Sequence, residues 1–572
     1  MKVKGGLNIF KKYITLIMII FLTITAGVNC LSVSITKDNY EKSDENIDIC
    51  IGNIKDGFGL TVEIYNQGDT DIKNIQLNVD VKKEKFIYIP KKTYEIPYLS
   101  AGDSTKIRVI VFGFGLGIFY DYPLITFTVN SSASKTFWKI ISTSIIGVKT
   151  QIMNEISSSA ESYEGYTLFG PEYSRNTYLI KNNGIIVHIW KSKYIQGLCN
   201  YLLENGDLLR LDLPGDNPTF RGGGIAGRVE KFDQDSNLLW EFEYSNSDHC
   251  AHHDIEPLPN GNVLLIAWEY KTREDAIAAG RDPRKLQGDA LWPDHIVEIE
   301  PTGSSGGIII WEWHVWDHLI QEYDPSKDNY GVVEDHPELI DINYGNHQQD
   351  WNHINSIDYN EELDQILVSV HEFDEIWVID HSTTIEEAAD HTGGNSSMGG
   401  DLLYRWGNPQ AYRAGNAGDK MFFGQHGASW VDAGCPGEGN IIVFNNGQSR
   451  GYSSVDEIVP PLNSTGSYTH KPRTPYAPEE PIWIFTTDPP SDMYSMQLSN
   501  AQRLPNGNTL ICSAQQGLFL EVTPDKNVVW KYSNILPTPY TNAVARIYRY
   551  PLDYPGASDL NGMKTGHIHK KL

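Results

Sequence analysis

The sequence predicts an all-β chain, a six-bladed β-propeller preceded by a small β-sandwich. Three observations lead there. A turn-and-tryptophan unit recurs through residues 160–550. No long stretch carries the i, i+3, i+4 apolar spacing of an amphipathic helix, and Glu274–Gly280 is at most a short surface helix. The composition, with 50 glycines, 29 prolines, 31 tyrosines and 14 tryptophans in 572 residues, suits many turns between aromatic-rich strands.

Residues 1–30 place Lys2, Lys4, Lys11 and Lys12 ahead of an apolar run from Tyr13 to about Val28. A basic start followed by such a run predicts a signal peptide or N-terminal membrane anchor, hence an exported protein. Cys30 follows Asn29 rather than a small residue, which argues against lipid attachment there. The six cysteines form no metal-type CxxC pattern, and one or two disulfides would fit an exported chain. The formal charge of −27 argues against a nucleic-acid partner, which needs a basic face.

Residues 31–150 read as a separate domain. Gly59–Tyr65, Ile72–Val81, Lys106–Phe112 and Leu124–Val129 are strand-like, and turns separate them. This spacing suggests a two-sheet sandwich. It resembles the immunoglobulin-like accessory domains of cell-surface proteins and predicts a spacer or adhesion role.

Residues 160–550 hold the repeat. Its first half is an Asn-Gly-type turn at Leu203–Gly206, Leu258–Gly261 and Leu504–Gly507, with looser copies at Glu362–Leu367 and Gly437–Ile442. Its second half ends in a strand bearing Trp240, Trp311, Trp406, Trp483 or Trp530. A degenerate sixth unit covers Tyr166–Trp190. Two hairpins make a four-stranded unit, and about six such units close radially into a propeller; an open β-solenoid fits the variable unit lengths poorly. Long insertions at Lys271–Asp294 and Asp317–Asp350 would cover one face. Residues 551–572 form a C-terminal tail.

Histidines fall at matching places in the repeat. His252 and His253 precede the second turn, His353 the third and His426 the fourth, while His371 closes the strand after the third turn. Equivalent positions on successive blades face one axis, so these rings should meet in the channel. Converging imidazoles could bind a metal, act as nucleophile, oxyanion donors and proton carriers, or be hydrogen-bonded structural residues.

Asp350–Ser356, the Ile366–His371 strand, Tyr404–Gly407, Gly424–Gly427 and Asn445–Gly451 resemble the bacterial arylsulfotransferase family, as do His253-Asp254 and the turn after them. The resemblance spans about 160–550. It implies an exported six-bladed propeller that moves a sulfuryl group from a phenolic sulfate ester to a phenol. The implied route is ping-pong through a sulfated histidine, with no cofactor and no nucleotide sulfate donor. His426 matches the nucleophile, and His353 and His253 the two other active-site histidines. His371 stands where the family has an arginine, which implies a weaker, pH-dependent cover for the sulfuryl oxygens and a profile shifted toward acid. Arg405 and Arg450 are further candidates for that cover. The implied partners are a small aryl sulfate donor and a phenolic acceptor. The alternative is a non-catalytic propeller serving as a surface binding or adhesion module.

Overall fold

The computed structural model describes residues 49–560 apart from 67, 69, 83–86, 116–123, 132–136, 464–465, 539–540 and 558–559. The expected export segment, Cys30 and the last part of the tail lie outside the described residues. The described chain is all-β, with only short helical turns between strands. No helix among these residues is long and apolar enough to cross a membrane.

Six antiparallel sets of four strands follow one another along the repeat, five as separate sheets and the last as part of a larger sheet. The first strand of each lies innermost in five of them: Ile195–Leu202, His249–Pro257, Ile354–Asn360, His426–Trp430 and Asn500–Arg503. The remaining sheet is shared by the two ends of the repeat. Gly165–Pro171, Asn176–Lys181 and Ile186–Lys191 supply three strands, and Val544–Pro551 pairs with the first of them. The inner strands pack on one another in chain order, and Val544–Pro551 packs on both Asn500–Arg503 and Ile195–Leu202.

Local chemistry explains the repeated unit. In three sheets the backbone N–H of the turn's leading leucine donates to the carbonyl four residues on, at 2.8–2.9 Å, and the turn glycine takes positive φ: Gly206 at 87°, Gly261 at 92°, Gly507 at 89°. Only glycine adopts this without a Cβ penalty. In the looser copies Asp364 at 50° and Gly439 at 79° take positive φ.

The recurrent tryptophan has a structural task. Trp240 Nε1 donates to Gly306 O, Trp311 to Thr383 Oγ1, Trp406 to Pro478 O, Trp483 to Pro524 O and Trp530 to Asn182 O, all at 2.7–3.0 Å. Each acceptor lies between the third and fourth strands of the next sheet in cyclic order, or in the corresponding turn of the shared sheet. Five indoles thus latch five of the six sets to their neighbours, each bond contributing about 1 kcal/mol net. Trp190, in the degenerate unit, is buried with its Nε1 unpartnered.

Ahead of the repeat, Ile49–Lys55, Leu60–Asn66 and Ser104–Val109 form one sheet. It shares a core with a second sheet built on Ile72–Lys82, Leu124–Asn130 and Phe137–Gly147, through Ile51, Val62 and Ile64 against Leu77, Phe127 and Ile141. Two sheets thus enclose one core. Lys149–Ser158 runs beyond residue 150 and pairs with the outer strand Val528–Ser533, Ser158 opposite Trp530. The second sheet is therefore continuous with the last sheet of the repeat. The helix expected near 274–280 is Arg273–Ala278, started by a capping box between Thr272 and Asp275. The five described cysteines, at 50, 199, 250, 435 and 512, are free thiols.

Candidate active site

The inner strands are irregular at the end that bears the histidines. Pairing with the second strand shifts register between Ala251 and Ile255, between Ile354 and Ser356, and between His426 and Ser429. His253 and His353 sit at φ 56° and 55°, Gly427 at 61°, and Leu498 and Ser499 at 60° and 89°. Side chains alternate along a regular strand, so a bulge is what re-aims a ring at a chosen end. Non-glycine residues in this conformation cost of order 1 kcal/mol or more and gather where function over-determines the backbone.

The four histidines singled out from sequence meet in one row. Ring centroids lie 4.5 Å apart for His253 and His353, 5.4 Å for His353 and His371, and 5.2 Å for His371 and His426. His253 and His426 line a narrow cavity with Leu198, Asn355, Leu498 and Arg546. Above His253 runs Gly222-Gly223-Gly224. A Cβ on Gly224 would stand 2.2 Å from the His253 ring, so this approach needs glycine.

Each ring has a distinct set of partners. His426 Nδ1 faces two oxygen acceptors, Gly424 O at 3.1 Å and Asn446 Oδ1 at 2.9 Å. Asn446 is oriented by its own Nδ2, which donates to Ser495 O and Leu498 O. The proton therefore belongs on Nδ1, and Nε2 keeps a lone pair. Burial holds His426 well below the ordinary imidazole range, so the ring is neutral.

His353 is the opposite case. Burial alone would lower it, but the Asp350 carboxylate, 2.6 Å from Nδ1, lifts it to about 9. It is an imidazolium at neutral pH, with Nε2–H left to donate. His253 is neutral, held well below the ordinary range by burial and by the His353 charge. His371 Nδ1 lies 2.9 Å from Glu372 Oε1, and its Nε2 lies 3.0 Å from Gln448 Nε2. Because Gln448 Nε2 also donates to Met496 O, that nitrogen is the amide donor and His371 Nε2 accepts. The residue in the arginine's place is thus held as an acceptor in this arrangement, not as a cationic donor.

Neither arginine singled out from sequence joins the row. Arg405 is fully buried against Glu375, Nε to Oε1 at 3.0 Å, and stacks over Tyr412. Arg450 lies over Phe423 and Tyr452 and donates to Ser454 Oγ. The guanidinium that lines the cavity is Arg546, from the last inner strand, bonded to Asp254 and to Asn355 O. A charged residue inside the apolar Val544–Ile547 run was the signal for it. Asp350, Asn355 and Asn446 lay inside family-like motifs without a role, and Asp294 had none either.

Among the described residues, the group with metal-like spacing is His318, His391 and Asp401, separate from this row. Both Nδ1 atoms lie 2.8 Å from Asp401 Oδ1, and His318 Nε2 lies 2.9 Å from Ala388 O.

The sequence pattern of the family described as Arylsulfotransferase (ASST) matches residues 161–541, about two thirds of the chain. No curated protein matches it. Among solved structures, a protein of unknown function from Bacteroides caccae is 12% identical, covering 68% of this chain and 99% of its own, with a TM-score of 0.37. The periplasmic gluconolactonase PpgL of Pseudomonas aeruginosa is 10% identical over 67% and 98%, with a TM-score of 0.35. Likeness at this level adds nothing to the architecture described above.

Proposed function

The chain belongs to the arylsulfotransferase family, and on that premise we propose that it moves a sulfuryl group from a phenolic sulfate ester to a phenol through a sulfated His426. Family membership supports sulfotransferase function in general. The ping-pong route rests on the state of the four histidines. The observation that carries it is the hydrogen bonding of His426: a neutral ring with Nδ1–H held by two oxygens presents Nε2 as nucleophile.

In the first half-reaction Nε2 attacks sulfur, the S–O bond to the aryl oxygen breaks, and the phenoxide leaves with a proton. In the second, an acceptor phenol loses its proton, its oxygen attacks sulfur, and the N–S bond breaks. Charge on the sulfuryl oxygens is met by the His353 imidazolium, whose N–H is already in place before the reaction. The Arg546 charge lies at the cavity wall.

The six sheets are read as blades of a closed propeller, with Val544–Pro551 as the closing strand. Export is proposed from the Lys2–Val28 segment; cell fractionation showing the protein wholly cytosolic would remove it.

The test is direct. Wild type should release phenolate from a chromogenic aryl sulfate, and brief exposure to that donor without acceptor should leave a sulfate on the peptide containing His426. His426→Ala should lose both by at least about 10³-fold. Folded wild type that releases no phenol between pH 5 and 9 would overturn the proposal.

A further inference from the structure

Behind His253 lies a second histidine and then a carboxylate, all buried. His252 Nδ1 faces His253 Nδ1 at 2.8 Å, and His252 Nε2 faces Asp294 Oδ1 at 2.8 Å. The carboxylate is fixed through Oδ2, which accepts from Asn352 Nδ2 at 2.7 Å and Ile354 N at 2.6 Å. Trp268 stacks on His252 with centroids 4.0 Å apart and planes 16° apart. His252 and Asp294 are fully buried and His253 is 3% exposed, so the row's outlet is the cavity that His253 lines.

Two Nδ1 atoms at hydrogen-bond distance need one proton between them. This leaves two arrangements in which both rings are neutral, and they differ by one proton. If the proton is on His253 Nδ1, then His253 Nε2 is a base, His252 carries its proton on Nε2, and Asp294 is a carboxylate. If it is on His252 Nδ1, then His253 Nε2–H is an acid and Asp294 is a carboxylic acid. Burial disfavours charge on all three groups, pushing both histidines well below and Asp294 well above their ordinary ranges.

We propose that the Asp294–His252–His253 row stores the proton exchanged between the two half-reactions. The inference rests on the sulfotransfer reading and deepens it. In the first half-reaction His253 Nε2–H gives its proton to the leaving phenoxide; His252 Nδ1–H moves to His253 Nδ1, and the Asp294 proton moves to His252 Nε2. In the second, the acceptor's O–H gives its proton to His253 Nε2 and each step reverses. Over a full turnover the row neither gains nor loses a proton. His252 and Asp294 act through His253 and are positioning residues in this sense.

The experiment compares two donors, 4-nitrophenyl sulfate, whose phenoxide leaves without help, and phenyl sulfate, whose phenoxide needs a proton. Asp294→Asn keeps the shape of the site but holds no mobile proton. It should leave the rate of His426 sulfation by the nitrophenyl donor within about threefold of wild type, and lower that by phenyl sulfate about 100-fold. His252→Gln, a change on a different strand, should do the same. For wild type, the solvent isotope effect with phenyl sulfate should curve with deuterium fraction, because several protons move together. Equal losses on both donors in both variants, or a linear isotope dependence, would overturn the relay while leaving sulfotransfer standing. Wild type that releases phenol from neither donor would overturn both readings.

Discussion

Two histidine–aspartate pairs stand a few ångströms apart in this site, and only one of them is ionised. At one, His353 Nδ1 lies 2.6 Å from Asp350; at the other, His252 Nε2 lies 2.8 Å from Asp294. The distances are nearly equal. What differs is access to water. The side chains of His353 and Asp350 are each 15% exposed, whereas those of His252 and Asp294 are wholly enclosed. The first pair stays ionised, with His353 lifted to about 9. In the second, His252 is pushed well below and Asp294 well above the usual range. Proximity to a carboxylate therefore does not by itself make an imidazolium; desolvation decides. The pairing gives one fixed cation and one mobile proton within a single cluster of rings.

The largest expected effect comes from removing the difference. Asp350→Asn strips His353 of its partner, and sulfotransfer at pH 8 should fall about 10²–10³-fold. The alkaline limb of the rate profile, near 9 in wild type, should move below neutral. His353 is raised above its free value of 6.5, so its contribution is complete below about pH 6.5 and is lost as pH rises through about 9. Urea unfolding at pH 6 and pH 10 should show wild type losing stability over that interval and the variant losing less. A pH-independent difference between the two would contradict the assignment.

Next comes the residue in the arginine's place. His371→Arg supplies a charge that does not depend on pH. Transfer above pH 9, where His353 has lost its proton, should rise about tenfold, and below pH 7 it should change little. No gain at alkaline pH would mean that the sulfuryl oxygens are not covered from this side. The smallest effect concerns Trp268, which stacks on His252 and donates Nε1 to Asp350 Oδ1 at 2.9 Å. Trp268→Phe keeps an aromatic face and removes the donor. Stability should drop by about 1–2 kcal/mol in a urea titration, and the alkaline limb should move slightly upward because Asp350 is freer to hold the His353 proton.

Much of this was legible in the chain because the signals are local. The turn glycines at 206, 261 and 507 and the recurrent tryptophans declare their hairpins within a few residues of themselves. The register of His253, His353 and His426 against those turns pointed to one axis. What could not be read was set by distant pairing. Val544–Pro551 lacks the turn and tryptophan signature, and its partner Gly165–Pro171 lies some 380 residues earlier. Asp294 is 42 residues from His252, and nothing near it in sequence marks it as that ring's acceptor. Arg405 could be an anion binder or an ion-pair partner by sequence, and Glu375, 30 residues before it, makes it the latter. His371 looked like a substitute cation, but Gln448, 77 residues on, makes its Nε2 an acceptor. Side chains whose roles depend on long-range neighbours leave no periodic trace.

The shared sheet has a consequence for when the protein can begin to work. Its fourth strand follows every other strand of the repeat in chain order, and that strand brings Arg546, which grips Asp254 next to His253. A nascent chain lacking those residues has an unpaired edge on Gly165–Pro171 and an uncompensated buried carboxylate beside the histidines. Chemistry thus waits for Val544–Pro551 to be made, so a chain terminated before that strand should be inert.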